Sequence, residues 1–429
     1  MDRARRGQAS HEPPSRVSTK RRSFFGFAAL VFLSCGSAVE AAPNEYRLLA
    51  DTGAAISSVA ISLNSARRTS LRNAELVTHL LQRLPGDIRF TVLSDDPGVF
   101  TDAAASWPPR IKLLEESTPR PLTIWTQDPF LVLTSRSGTT RLLMARQFDR
   151  SGDAAMAKQI AASHGFEIIA SELDFDGGNI VSDESFAFVG ANTVRLNAQR
   201  RQLHEVAIAE RFESELGRNV LVVGPYPQPV GHIDMLLTPL GRKRIALADA
   251  GAGAAIAMQA LTVDAAEVLA FETAAEENFF GLRGVESLAL PNGSTVTPPK
   301  VKHQTAAMIE ASIAMAAWLD RLATSLAQNF GYQVVRIPFL VGGPRSERRD
   351  AGVTESNAAY PMLSYNNVLI EEAKGTQIVY LPRYGLAALD AAAESAWTAA
   401  GFRVRAVEGL TTSAMHGGSL RCSVKVLAR

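Results

Sequence analysis

Cysteine is nearly absent from this 429-residue chain, which has only Cys35 and Cys422. Net charge is nearly absent too: 44 basic residues face 43 acidic ones. That balance leaves no electrostatic footprint for nucleic acid, so no nucleic-acid partner is expected. Long apolar runs are missing as well. The most apolar stretch, Phe24 to Leu33, is too short to cross a bilayer. Nor is the chain Pro- or Gly-dominated, and its 46% hydrophobic content suits a large buried core. No charge-rich or Pro-rich linker divides residues 42–429, so one catalytic domain is expected there.

The short apolar run has the flanks of an export signal. Arg16, Lys20, Arg21 and Arg22 precede it, and Val39-Glu40-Ala41 offers a small-x-small cleavage site before Ala42. Arg21-Arg22-Ser23-Phe24-Phe25 is twin-arginine-like, although Lys20 stands where Ser or Thr is usual. Residues 1–41 are therefore expected to be removed and the mature chain to be periplasmic or extracellular, without a membrane span. Cys35 is also a conceivable lipidation site. Removing 7 basic and 3 acidic residues with the signal leaves a net charge of −3. It also leaves Cys422 as the single thiol, with no intramolecular disulfide. An unpaired thiol in an exported protein is either a reactive group or a buried structural one.

One local grammar recurs five times: a helix, a glycine, then a strand. A helical face with Ala74, Val77, Leu81 and Leu84 stops at Pro85-Gly86 before Ile88–Val92. Similar junctions fall at Gly165, Gly217, Gly331 and Gly401. Glycine takes the left-handed conformation that closes a helix, and the next strand enters the core. Five junctions predict an α/β protein of five diverged units. The uneven spacing places the largest insertion between Gly217 and Gly331, which includes a long helix near 304–330.

Four polar, glycine-marked segments stand out as places for chemistry. They are Trp125-Thr126-Gln127-Asp128, Asp176-Gly177-Gly178-Asn179, Gly231-His232-Ile233-Asp234, and His416-Gly417-Gly418-Ser419-Leu420-Arg421-Cys422. Each alone would pass for a turn. Together they hold what hydrolysis of a guanidinium requires. That group is a planar cation whose N–H donors pair with carboxylates, here Asp128 and Asp234. Its carbon is a poor electrophile, so a thiolate is needed, and Cys422 is the mature chain's one candidate. Histidine can give a proton to departing ammonia and then activate water, a role open to His232. In an extended segment, His232 and Asp234 would share a face.

On these four segments the chain resembles the guanidino-group-modifying superfamily. It is closest to the protein-arginine deiminases, with agmatine deiminases as relatives. The order of Asp, His-x-Asp and a late Cys agrees, over most of residues 45–429. Tyr360–Asn367, with the apolar Val368-Leu369-Ile370 behind it, also resembles that family. The resemblance implies a pentein-like fold, a pseudo-fivefold β/α propeller of five ββαβ units with the site at its centre. It implies that Asp128 and Asp234 bind the guanidinium, that His232 is acid then base, and that Cys422 forms a covalent intermediate. Asp176 would orient His232 or add a carboxylate, Trp125 would lie along the substrate's stem, and Gln127 and Asn179 would complete substrate binding. The implied partner is an arginine-containing peptide or protein, or a small guanidine.

Two departures matter. The family often has His before the cysteine; Arg421 stands here. A cation there favours thiolate, and strand alternation would point it away from substrate. The vertebrate enzymes need calcium and carry acidic residues after Gln-Asp, whereas Pro129-Phe130 follow here, so no metal or cofactor is expected. Peptidyl-arginine deimination is the leading expectation. The alternatives are deimination of agmatine or free arginine, an inactive arginine-binding protein, and an amidinotransferase. Arg345, Arg348 and Arg349 form a polar run that could meet a substrate carboxylate.

Overall fold

The computed structural model describes residues 45–64, 70–96, 98, 104–115, 122–263, 288–289, 295–296, 304–342, 362–410, 413–414 and 417–429. The export signal at 1–41, His416 and the Arg345, Arg348 and Arg349 run lie outside these residues.

The described chain is α/β, and five of its small sheets share one topology. In each, an antiparallel strand pair is followed by a helical crossover to a parallel third strand. Phe130–Ser135 pairs antiparallel with Thr140–Met144; the helix Ser151–His164 then leads to the parallel strand Glu167–Ala170. Ile180–Ser182, Phe186–Gly190 and Asn219–Val223 repeat this through the helices Ala191–Arg201 and Glu205–Leu216. Leu237–Gly241, Arg244–Asp249 and Gln333–Leu340 repeat it again, as do Leu369–Ala373, Thr376–Pro382 and Arg403–Val407. The remaining unit joins the two ends of the described chain. Its first strand is Val424–Ala428, its second Ser58–Leu63 and its third Arg89–Ser94, after the helix Ser70–Arg83. Each parallel connection needs such a crossover, because a tight turn cannot reverse the chain twice.

The five expected junctions all join helix to strand, but not all by one device. Gly165, Gly217, Gly331 and Gly401 have φ of 68, 61, 68 and 90°, as helix-closing glycines should. Gly86 is not left-handed: the first helix ends at Arg83, and Pro85 prevents its continuation. The long helix Gln304–Phe330 lies within a crossover and packs on Ala250–Val263 and Gln333–Leu340. Its Met308, Met315, Trp318, Leu322 and Leu326, spaced in the sequence to share one helical face, are all buried and form a core face.

The first strands of all five units meet at one cavity. Val132, Val181, Thr238, Leu369 and Lys425, one from each, are among its lining. The four segments singled out in the sequence, and the Asn366-Asn367 turn, each lie just before one of these strands. A shared position in five repeats thus brings residues far apart in sequence to one region.

Candidate active site

Cys422 sits in a single helical turn, Leu420–Ser423, directly before the strand Val424–Ala428. The turn is anchored to the Asp128 loop, because Gln127 N donates to Cys422 O at 3.1 Å. The thiol is buried, with Asp234 Oδ2 at 3.7 Å, Asp234 Oδ1 at 3.9 Å and Met235 Sδ at 3.8 Å. Asn367 holds it from the other side. Its Nδ2 donates to Sγ at 3.2 Å, and its Oδ1 accepts from Cys422 N at 3.1 Å. The same Nδ2 reaches Asp234 O at 3.2 Å, so one carboxamide fixes nucleophile and carboxylate together. The Tyr360–Asn367 resemblance marked the neighbourhood, but no role for Asn367 was read from it. The sign available was a polar Ser364-Tyr365-Asn366-Asn367 turn ahead of an apolar strand.

His232 and Asp234 both approach Cys422, though not as neighbours on an extended segment. His232 is extended, and Ile233–Met235 form a 3-10 turn. The imidazole stands between carboxylates, with Nδ1 3.7 Å from Asp128 Oδ1 and Nε2 3.6 Å from Asp176 Oδ2. Asp176 is therefore placed to orient His232. Burial opposes the imidazolium, but Asp128, Asp176, Cys422 and Asp234 outweigh it and hold His232 well above its ordinary value. The opposite happens at the thiol. Burial, then Asp234 and Asp128, push Cys422 up to about 11 against the pull of His232. The unliganded site thus favours an imidazolium beside a neutral thiol at neutral pH.

The close spacing depends on glycine. A Cβ on Gly178 would stand 2.5 Å from His232 Nδ1 and 3.0 Å from Asp128 Oδ1. Gly178 N also donates to Asp128 Oδ1 at 3.2 Å, and Gly177 N to Asp128 O at 2.8 Å. The Asp-Gly-Gly segment is thus a surface moulded onto the Asp128 loop.

Several expected roles change. Asp128 and Asp234 are not empty clamps, since each already holds an arginine. Arg150 NH2 donates to Asp128 Oδ2 at 2.6 Å while its Nε pairs with Asp153 at 3.0 Å. Arg421 NH1 donates to Asp234 Oδ2 at 2.9 Å, and its other end pairs with Asp51 at 3.0 Å. A carboxylate has about four acceptor sites, so both retain capacity for a further N–H. Asp128, Asp176 and His232 also present ligand atoms within 4.8 Å of one another. Arg150 places a cation at that cluster. Arg421 does not follow strand alternation, because residues 420–423 form a helical turn that buries its guanidinium behind Asp234. Its charge is spent on Asp234 and Asp51, and the thiol is not lowered.

Gln127 and Asn179, expected at the substrate, are instead committed to the scaffold. Gln127 Nε2 donates to Gly177 O at 3.2 Å. Asn179 Oδ1 accepts from Ile233 N at 3.0 Å, and its Nδ2 donates to Thr193 Oγ1 at 2.8 Å. Asn179 therefore positions the His-x-Asp turn. Trp125, expected along a substrate stem, is half-buried and covers Gly418, where a Cβ would come within 2.2 Å of its ring. Sequence reasoning missed Asn367, Arg150 and Asp51.

Comparison with known proteins identifies the fold and the family. No curated protein matches the sequence. The fold is similar to that of the agmatine deiminase of Enterococcus faecalis, at 14% identity and TM-score 0.58, covering 89% of this chain and 95% of that one. It is also similar to the C. jejuni agmatine deiminase, at 12% identity and TM-score 0.56 over 89% and 95% of the two chains. A Porphyromonas gingivalis protein assigned as an arginine deiminase matches at 15% identity and TM-score 0.52, over 88% and 97%. At these identities the likeness establishes the pentein-type α/β fold. The family model for the Porphyromonas-type peptidyl-arginine deiminases matches residues 141–426, a span that includes Asp176, His232, Asp234, Asn367 and Cys422. With two thirds of its length matched, the chain belongs to the Porphyromonas-type peptidyl-arginine deiminase family.

Proposed function

We propose that this protein deiminates arginine in peptides or proteins, yielding citrulline and ammonia through a covalent intermediate on Cys422. The observation that carries the reading is the convergence of Cys422, His232, Asp234, Asp128 and Asn367 from four separate segments onto one thiol. Family membership favours peptidyl arginine as the substrate class.

The steps follow from the charges. A substrate guanidinium binds the acceptor capacity left on Asp234 and Asp128, beside Sγ. Its positive charge offsets the carboxylates that hold the thiol up, so substrate binding promotes loss of the thiol proton to solvent, His232 already carrying its own. Sγ attacks the guanidinium carbon. His232, held protonated, passes its proton to the departing nitrogen, which leaves as ammonia. The remaining amidino-thioether is attacked by water, whose proton returns to the now neutral His232. Collapse of that adduct breaks the C–S bond, and the departing sulfur takes the hydroxyl proton, which releases the neutral ureido product and restores the thiol. Asn367 Nδ2 donates to the sulfur whenever it carries negative charge. Asp176 keeps the imidazole facing the reacting centre.

The same reading includes an architecture and a location. The five repeated sheets are proposed to surround one axis as a pseudo-fivefold propeller, supported by the cavity that a strand of each lines. Residues 1–41 are proposed to direct export, leaving 42–429 as the periplasmic or extracellular catalytic domain. No helix among the described residues is long and apolar enough to cross a membrane. The test is ammonia and ureido formation from an internal-arginine peptide, a C-terminal-arginine peptide and agmatine in parallel. Turnover of agmatine alone would replace the peptide reading with the small-guanidine one.

A further inference from the structure

The cavity that the five first strands line is separate from the candidate active site, since neither Cys422 nor His232 belongs to its lining. Its free volume is about 40 Å³, room for a small ion or a few waters. Its charge is one-sided. Arg421, Lys425 and Arg429 line it, and Asp51 supplies the one carboxylate side chain.

Two of these three cations are incompletely satisfied. Arg421 is fully engaged, by Asp234, Asp51 and Ile180 O. Lys425 is buried, 4% exposed, and has three N–H donors but one acceptor among the described residues, Gln127 O at 3.2 Å. Phe130 lies beneath its ammonium, 5.1 Å from ring centre to Nζ. Arg429 gives its terminal nitrogens to Asp51 O, Ala54 O and Ile370 O, but its Nε is buried without a partner. Buried cationic groups with unused donors are costly unless an acceptor or counter-charge enters.

We propose that this central cavity is an anion site, taking one small monovalent inorganic anion of halide size between Lys425, Arg429 and Arg421. The ion lies behind Asp234 and meets the catalytic layer through Arg421. Burial first, then Arg421, brings Lys425 down to about 7, while Asp51, Asp128 and Asp234 pull it upward. An anion adds to that upward pull, so it binds together with a proton on Lys425. Affinity therefore falls as pH rises above neutrality.

Bromide is the probe. The purified protein, in sodium gluconate at constant ionic strength, is titrated with sodium bromide and its thermal unfolding followed at pH 6.5 and pH 9. A saturable rise in Tm is expected at pH 6.5, with apparent affinity about tenfold or more weaker at pH 9 and in Lys425→Met. An anomalous-scattering peak at Lys425 Nζ in bromide-soaked crystals is the matching structural result. Absence of a saturable effect at pH 6.5, or an unchanged effect in a folded Lys425→Met, overturns the proposal. Should Lys425→Met fail to fold, the wild-type protein decides: equal bromide affinity at pH 6.5 and pH 9 overturns the proposal.

Discussion

Asn367 was invisible as a functional residue in the sequence, and the site makes a demanding prediction about it. Its carboxamide donates to Cys422 Sγ at 3.2 Å and to Asp234 O at 3.2 Å, and accepts from Cys422 N at 3.1 Å. In Asn367→Ala all three bonds go. A hydrogen bond to a charged group contributes roughly 1.5–3 kcal/mol, so losing the donor to the thiolate should lower kcat/KM by about 10- to 150-fold. Stability should fall too. Cys422 N–H and Asp234 C=O are left buried without this partner, at roughly 1–3 kcal/mol each. Asn367→Asp separates the two effects. It keeps the acceptor for Cys422 N but puts a carboxyl oxygen against sulfur, so its loss of rate should exceed what its loss of stability suggests. The limb of the pH–rate profile that reports the thiol should move to higher pH, because a second carboxylate disfavours thiolate as Asp234 already does. The assay is ureido formation across pH, with thermal unfolding on the same samples. A folded Asn367→Ala or Asn367→Asp with wild-type kcat/KM and an unmoved pH profile would refute the reasoning.

Four further outcomes follow. Cys422→Ser should abolish turnover while changing Tm little, which parallel activity and unfolding measurements will show. His232→Ala and Asp234→Ala should each cost several orders of magnitude in rate; Asp234→Ala should also destabilise by roughly 3–5 kcal/mol, because it strips Arg421 of a buried partner. Gly178→Ala should lose most activity, since its Cβ would intrude on His232 Nδ1 at 2.5 Å, and a crystal structure should show the imidazole displaced. Lys425→Met should flatten the pH dependence of stability. The folded Lys425 sits at about 7, below its ordinary 10.5, so the unfolded chain binds more protons between those values and stability rises with pH there. Removing the ammonium should therefore raise stability near pH 7 by on the order of 4 kcal/mol at most, compared in gluconate buffer.

The parts legible in the sequence were those that local rules govern. Helix-closing glycines such as Gly217 and Gly331 announce themselves, because few other residues tolerate their φ. The stripe from Met308 to Leu326 could be read as one buried face from spacing alone. Candidate chemistry was legible as residue types in polar turns, and those turns do converge. What the sequence hid was the division of labour inside them. Nothing local distinguishes Asp128, turned toward His232 and Arg150, from Gln127 beside it, whose carboxamide is spent on Gly177 O. The partners of Arg421 were not legible because a four-residue helical turn interrupts the expected strand, and its side-chain direction depends on that turn. Arg150 and Asp51 were missed because their roles arise from pairing across the fold, with Asp128 22 residues away and with Arg421 370 residues away.

The most direct test of the central claim is intact-mass analysis of the protein during turnover of an arginine peptide, quenched in acid, alongside ammonia release. The account predicts an adduct equal to the peptide minus ammonia, located on Cys422 and absent in Cys422→Ser. Ammonia release from the peptide that persists in Cys422→Ser would contradict it.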